Sequence, residues 1–394
     1  MRELRTAVIG IGNMGTAHAR CIREGEIPGL ALAAVCDLRP ERLRWAEANW
    51  PGVARPADWR SLLDPALPLD AVIIAVPHPL HCEIAQAFLE AGKHVLSEKP
   101  LDIRLSRARK AVAAAEERGL VFAVMFNQRT DPLFIRAREI VRDPAFGEIR
   151  RSSWTVTNWY RTQAYYDSGT WRATWAGEGG GVMVNQAPHN LDLWQWICGM
   201  PCRLTARLGF GRHHRIEVED EATLLTEYPN GATGVFTVST GEYPGTNRLE
   251  ICGTRGKLVL EDGGLKHWRL GEDVREVSGG SGEHSPRIPM TCETWRPEDK
   301  GPAHAGVLRD FARAVLEGGT PIAPAREALN ELAVANAAFL SAWQEGAPVT
   351  LPVDEARFDA LLALRQAESG SSRDPGAEAL QPDGRYSERW SVRW

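Results

Sequence analysis

A turn with three glycines, Gly10-Ile11-Gly12-Asn13-Met14-Gly15, lies between an apolar run from Thr6 to Ile9 and a helical pattern from Ala17 to Ile22. A buried strand that passes into a helix through such a turn presents backbone N–H groups and the positive end of the helix dipole, which is where a dinucleotide pyrophosphate binds. Gly10 allows the tight turn, Gly12 lets the backbone approach the phosphates, and Gly15 lets the helix pack closely on its strand. A second apolar run, Leu30 to Cys36, ends in Asp37, 22 residues after Gly15. A carboxylate there accepts hydrogen bonds from the adenosine ribose and repels a 2′-phosphate, so NAD is expected and NADP is disfavoured. Arg39 would hold a 2′-phosphate only if Asp37 turned away.

To about residue 127 the chain alternates short apolar runs with helical stretches, which implies a parallel sheet covered on both faces. Asp70 to Val76 is a strand ending at Pro77-His78-Pro79-Leu80-His81; the helix Cys82 to Ala91 stops at Gly92, and the strand Lys93 to Leu96 leads to Glu98-Lys99-Pro100. Val121 to Phe126 delivers Asn127. Strand tips on the carboxyl side of such a sheet face the ligand. The cofactor contacts expected are therefore Gly10, Gly12, Asn13, Met14, Gly15, Asp37, Val76, Pro77, His81, Glu98, Lys99 and Asn127.

Beyond the helix Pro132 to Val141 the pattern changes to alternating runs, Thr223 to Tyr228, Thr233 to Ser239, Arg248 to Cys252 and Lys257 to Leu260, with turn signals such as Pro229-Asn230-Gly231 between them. These predict an open, mostly antiparallel sheet with helices on one face, and two late helices, Gly306 to Glu317 and Ala325 to Gln344. The fold class is α/β: a Rossmann dinucleotide-binding domain over residues 1–127, an α+β domain for substrate and oligomer contacts over 128–365, and a tail over 366–394. That tail is either disordered or an arm that docks on a neighbouring subunit through Trp390 and Trp394. A one-sided sheet must bury its second face, so a homo-oligomer, dimer or tetramer, is expected.

The formal net charge of -5 and the lack of a basic tract argue against nucleic acid or an anionic membrane as partner. No apolar run approaches a membrane span, and the N-terminus does not read as a signal sequence, so a cytoplasmic location is expected. Seven scattered cysteines read as reduced thiols.

Two residues are candidates for proton chemistry. Lys99, at a strand tip beside the expected nicotinamide, would have its pKa lowered by desolvation and serve as acid/base, or stay charged and polarise a substrate oxygen; the alternative is a solvated surface pair with Glu98. His189 follows Pro188 at the start of a helix running through Trp196, where the dipole favours the neutral ring that a general base requires; the alternative is a satisfied structural histidine. Asp192 shares its helix face and would steer the ring. Between the two lie Trp154, Trp159, Tyr160, Tyr165, Tyr166, Trp171 and Trp175, whose rings suit the C–H faces of a pyranose if they are not core or oligomer contacts. Tyr160, Trp171, Arg172 and Asn185 complete the expected substrate contacts. His213-His214 lacks a third ligand at diagnostic spacing, so no metal is expected.

Gly10-x-Gly12-x-x-Gly15, Pro77-x-x-x-His81, Glu98-Lys99-Pro100, Trp171-Arg172, Gly180-Gly181 and His189 with Asp192 together resemble the Gfo/Idh/MocA oxidoreductases, over nearly all of the chain to about residue 360. The resemblance implies NAD(P)-dependent oxidation or reduction of a ring carbon of a sugar or inositol, with Lys99 and His189 catalytic and Lys99-Pro100 cis. Many such dehydrogenases carry Asp where this chain has Asn185, and an amide cannot hold a proton as a carboxylate does. The combination Asn185-Gln186-x-Pro188-His189-x-x-Asp192 with the aromatic segment resembles members that oxidise glycosides at pyranose C3. The alternatives are an NAD-recycling glycosidase, an inositol dehydrogenase and a non-catalytic sugar-sensing regulator.

Overall fold

The computed structural model describes residues 2–169 and 171–370. The proposed docking arm with Trp390 and Trp394 lies outside the described residues. Strands β1 (Leu4–Ile9), β2 (Leu30–Cys36), β3 (Ala71–Ile74), β4 (His94–Ser97) and β5 (Phe122–Val124) form a parallel sheet in the order β2-β1-β3-β4-β5. Its runs are apolar on both faces because both are covered. Ala7, Ile9, Val72 and Val95 point to one side, against Phe88 and Ala108 of the helices His81–Glu90 and Leu105–Glu117. Val8, Ile73 and Leu96 point to the other, against Ile22 of the helix Asn13–Arg23 and Leu308 and Phe311 of Ala303–Glu317. The second of the two late helices, Ala325–Trp343, joins the other core, where Phe339 lies against Trp175 and Trp343.

A nine-stranded sheet follows, built from β6 (Ile149–Val156), β7 (Arg203–Phe210), β8 (Glu219–Glu227), β9 (Thr233–Ser239), β10 (Asn247–Gly253), β11 (Gly256–Glu261), β12 (Gly264–Leu270), β13 (Met290–Trp295) and β14 (Val349–Thr350). Its order is β13-β12-β11-β10-β6-β9-β8-β7-β14, antiparallel throughout except where β6 meets β9. Alternation decides what each face does. Trp154, Leu224 and Phe236 are buried on the helical side, where Trp194 of the helix Pro188–Cys198 stacks on Phe236 at 5.5 Å. On the opposite side Leu225 and Val235 are 52% and 36% exposed. Four of the seven clustered aromatics, Trp154, Trp159, Tyr166 and Trp175, are buried in this domain's core.

None of the seven cysteines forms a disulfide. Among the described residues no helix is long and apolar enough to cross a membrane, and no cluster of His, Cys, Asp and Glu is arranged to hold a metal. His213 and His214 bond Glu221 and Asp220 in a loop.

Candidate active site at the junction of the two sheets

The glycine turn is shaped as the phosphates need it. Gly10 has φ +85°, and a Cβ there would meet the Ala75 carbonyl oxygen at 2.5 Å. A Cβ on Gly15 would stand 1.8 Å from the Gly10 carbonyl oxygen, so only glycine lets the helix approach its strand. At Gly12 the nearest atom to an added Cβ is Arg39 Nη2 at 3.7 Å, which makes this the open side of the turn. No side chain caps the helix Asn13–Arg23, and the buried Oδ1 of Asn13 has no hydrogen-bond partner. Uncapped N–H groups over an open glycine face fit a pyrophosphate. Asp37 accepts from Ile11 N at 3.0 Å and from Arg39 N and Nε at 3.0 and 3.1 Å. It thus fixes the turn while standing where the adenosine ribose fits, with Arg39 folded onto it.

At the carboxyl end of β3 and β4 the expected residues divide into two groups. Val76 and Pro77 are partly or fully exposed and line the strand tip, and Asn127, just past β5, has a buried Oδ1 without a partner. His81 and Glu98, expected at the cofactor, are buried, and each has both of its polar side-chain atoms bonded within the protein. The His81 ring is fully buried between the carbonyl oxygens of Val76 and Pro100, at 2.8 and 2.7 Å. Glu98 accepts from His18 Nε2 at 2.8 Å and from Lys99 N at 3.1 Å, and these partners hold its carboxyl down at about 2 despite burial. Both side chains pin the loop that carries Lys99, whose peptide bond to Pro100 is cis.

Lys99 leaves the first domain at this point and reaches the second. Its Nζ donates to the backbone carbonyl of Asn185 at 2.6 Å. Burial lowers its pKa from the ordinary ammonium range, and the fields of Glu98, Glu178 and Glu331 oppose that. Asn185 ends the short helix Val182–Asn185, and three residues later Pro188 starts the next helix, placing His189 in its first turn. The His189 ring is 9% exposed and its Nδ1 is buried without a partner. Desolvation, reinforced by Lys99 and His304, drives its pKa well below 6.5, so the imidazole is neutral.

The remaining polar groups come from the segment before that helix. Arg172 lies over the rings of Trp171 and Tyr165, and its Nη1 donates to Tyr165 Oη at 3.2 Å. Gln186 Nε2 donates to the same oxygen at 3.1 Å. Trp171 meets His78 edge-on at 5.4 Å. Buried atoms of His78, Arg172, Gln186 and His189 lack protein partners, and such a concentration of unsatisfied polar atoms around one junction marks a ligand site.

Two expected substrate residues lie elsewhere. Asp192 does not steer His189: it is fully buried and forms a two-pronged ion pair with Arg129, at 2.7 and 2.8 Å, with Gln195 as a third partner. A carboxylate buried at 0% exposure and turned onto Arg129 does not face the opening where a sugar hydroxyl would stand. Tyr160 is 46% exposed, with its ring against Tyr243, and the place beside Arg172 belongs to Tyr165.

Sequence reasoning missed Glu178 and Glu219, and it quoted Gln186 within a motif without giving it a role. Glu178 is 2% exposed, accepting from Ala173 N at 2.6 Å and from the Asn185 amide. Glu219, from β8, accepts from Gly181 N and Met183 N at 2.9 Å each and holds the glycine-rich loop, its carboxyl pushed up to about 8 by burial. The usable signal was the acidic residue standing directly before Gly179-Gly180-Gly181, where a surface turn would need no charge.

The chain matches known proteins over the same two regions. Residues 4–126 match the family model described as an oxidoreductase family with an NAD-binding Rossmann fold, and residues 134–259 match the GFO/IDH/MocA C-terminal domain. It is 28% identical to scyllo-inositol 2-dehydrogenase (NAD(+)) of Bacillus subtilis over 90% of this chain and 98% of that one. It is 27% identical to levoglucosan dehydrogenase of Pseudarthrobacter phenanthrenivorans over 66% and 74%. Among solved structures, the WlbA dehydrogenase of Bordetella pertussis, in complex with NADH and UDP-GlcNAcA, superposes with a TM-score of 0.74 at 27% identity, covering 90% of this chain and all of that one.

Proposed function

The chain belongs to the Gfo/Idh/MocA family of NAD-using oxidoreductases, and we propose that it oxidises a ring CH–OH of a pyranoside or related cyclitol, at C3 where the ring is a pyranose. The observation that carries this reading is the bond from Lys99 Nζ to the Asn185 carbonyl. It joins the tip of the cofactor-binding sheet to the segment that supplies His189, Asn185 and Arg172, and a substrate between the two domains meets all of them. The Gly10–Gly15 turn, Asp37 and Asn127 would hold NAD, which would supply the hydride acceptor.

The protein's own residues do the rest. Lys99 donates to the reacting oxygen, stabilising the negative charge that builds there as the hydroxyl proton leaves and that is then drawn into the carbonyl as the hydride departs. The neutral imidazole of His189 takes the hydroxyl proton, so the carbon loses a hydride, the oxygen loses a proton and a ketone forms. Arg172, Asn185 and Tyr165 bond the other hydroxyls, and the Trp171 ring offers an apolar face to the sugar. A glycosidase working by transient oxidation and elimination needs a further base. Tyr166 does not suit that role, because its hydroxyl is buried on Thr240 Oγ1 at 2.7 Å and burial raises its pKa.

The test is NADH formation at 340 nm with a panel of free sugars, inositols and glycosides, with released aglycone followed in parallel and the product trapped with borodeuteride to locate the ketone. NADH formed stoichiometrically without aglycone, with deuterium at one ring carbon, is the expected result; aglycone without net NADH would assign the glycosidase. Pairing of two copies through the exposed Leu225–Val235 face of the second sheet is the oligomer this fold favours, and mass in solution tests it.

A further inference from the structure

The departure at Asn185 removes a carboxylate from the site, and the structure puts another within reach. Glu178 lies seven residues earlier, beyond the glycine run, and its side chain turns inward, with Oε2 on the Ala173 N–H and Oε1 on Asn185 Nδ2. A carboxylate only accepts, so this bond settles which way the Asn185 amide points. One N–H of the amide is given to Glu178, which turns the NH2 group that way and leaves the carbonyl oxygen Oδ1 on the other side for a ligand.

Charge accounting leads to the same residue. Lys99 and Arg172 are the cations whose fields fall on Glu178. Glu98 is bonded to His18, and Asp192 is paired with Arg129. Burial pushes Glu219 up to about 8 and Glu331 well above the ordinary carboxylate range; it raises Glu178 too, but there the Arg172 and Lys99 charges and the bonds from Ala173 N and the Asn185 amide oppose it. Glu178 is therefore the acid in contact with Asn185 that faces both cations.

We propose that Glu178 is a positioning residue for the reaction: it orients the Asn185 amide with its oxygen toward the substrate and supplies the counter-charge that keeps Lys99 a donor. This rests on the dehydrogenase reading above. Arg172, Glu219, Tyr166 and His78 also face Glu178, and Glu98, Arg172, Glu331, His78, His189 and His304 also face Lys99. Substitution at Glu178 alters one charge and one bond against that constant background.

The experiment compares the wild type with Glu178→Gln, Asn185→Asp and the double variant that exchanges the two groups. Each is assayed for kcat and KM across pH, and for the pH dependence of Lys99 labelling by an amine-reactive reagent, followed by mass spectrometry. Glu178→Gln should lower kcat/KM by about tenfold to a hundredfold and move the Lys99 labelling midpoint down by about one pH unit, because a neighbouring anion is lost. Asn185→Asp sets two carboxylates against each other and should be comparably impaired, whereas the double variant restores one acid and one amide and should regain most of the loss. NAD affinity and melting temperature, measured on all four, separate this from failure to fold. Wild-type kcat/KM and an unmoved Lys99 midpoint in Glu178→Gln would overturn the proposal, as would a double variant no better than either single one. If the wild type oxidises nothing in the panel, the dehydrogenase reading fails, and the Lys99 midpoint alone decides whether Glu178 sets the charge of that lysine.

Discussion

Lys99 and Asn185 are 86 residues apart in the chain and 2.6 Å apart at the Nζ-to-carbonyl bond. The bond crosses from the tip of a parallel strand to the end of a short helix in the other domain, so the lysine is aimed by groups on both sides: Glu98 and His81 behind it, the Asn185 carbonyl ahead.

Replacing Lys99 with Ala should therefore remove the donor without disturbing the dinucleotide turn. We expect a loss in kcat of about a thousandfold, within the range for removing a donor aimed at a developing oxyanion, with NADH affinity within about threefold of wild type by fluorescence titration. Lys99→Arg should recover little, because a planar fork cannot replace a single ammonium donor at that distance. Turnover unchanged in Lys99→Ala would remove the lysine from the mechanism.

His189 makes the clearest pH prediction. Its pKa is depressed by burial and by the neighbouring cation of Lys99, so the neutral form persists below pH 6.5 and is lost only as pH falls through the lowered value. The acid limb of kcat/KM should lie below pH 6.5. His189→Ala should lower kcat by about a hundredfold and erase that limb. An acid limb above 6.5 that survives the substitution would assign the proton to another group.

Much of the site was legible where the chemistry is local. The glycine turn, Asp37 at the end of the second strand, and Pro188 ahead of His189 are each dictated within a few residues, and each stands where the pattern put it. What sequence could not supply was partnership across the fold. Asp192 read as His189's neighbour because i and i+3 share a helix face, yet the tertiary structure brings Arg129 to it from 63 residues away. Tyr160 and Tyr165 are indistinguishable by composition, and it is the path of the chain after β6 that turns the first toward Tyr243 and the second toward Arg172. Of the nine strands in the second sheet, β6, β7, β12, β13 and β14 escaped notice. In β6 and β7 charged or small polar residues alternate with the few large apolar ones, and the edge strand β13 is exposed along nearly all its length.

The Asp192–Arg129 pair separates structure from catalysis. Both side chains are fully buried, and Arg129 also bonds the Ile322 carbonyl at 3.0 Å and Glu327 at 2.5 Å. Asp192→Ala leaves a buried guanidinium with part of its charge unanswered, at a cost of about 3 kcal/mol or more. Urea denaturation should show that loss, while the folded fraction of Asp192→Asn keeps kcat within about threefold of wild type. A large fall in kcat at unchanged stability would return Asp192 to the proton route.

Cofactor choice turns on Asp37 and Arg39. In the structure one oxygen of the carboxylate accepts from Ile11 N, the other from Arg39 N and Nε, and the guanidinium reaches the first oxygen as well through Nη2. It both shapes the turn and keeps Arg39 folded down beside Gly12, 3.7 Å from where a side chain there would begin. Asp37→Ser should lose about tenfold in affinity for NAD, since a ribose acceptor and a turn contact go together. The same change ends the repulsion of a 2′-phosphate and leaves Arg39 to turn toward it, so the KM for NADP should fall. Adding Arg39→Ala should cancel the gain for NADP without restoring NAD. If Asp37→Ser binds NADP no better than the wild type does, discrimination lies in the width of the turn rather than in this pair of charges.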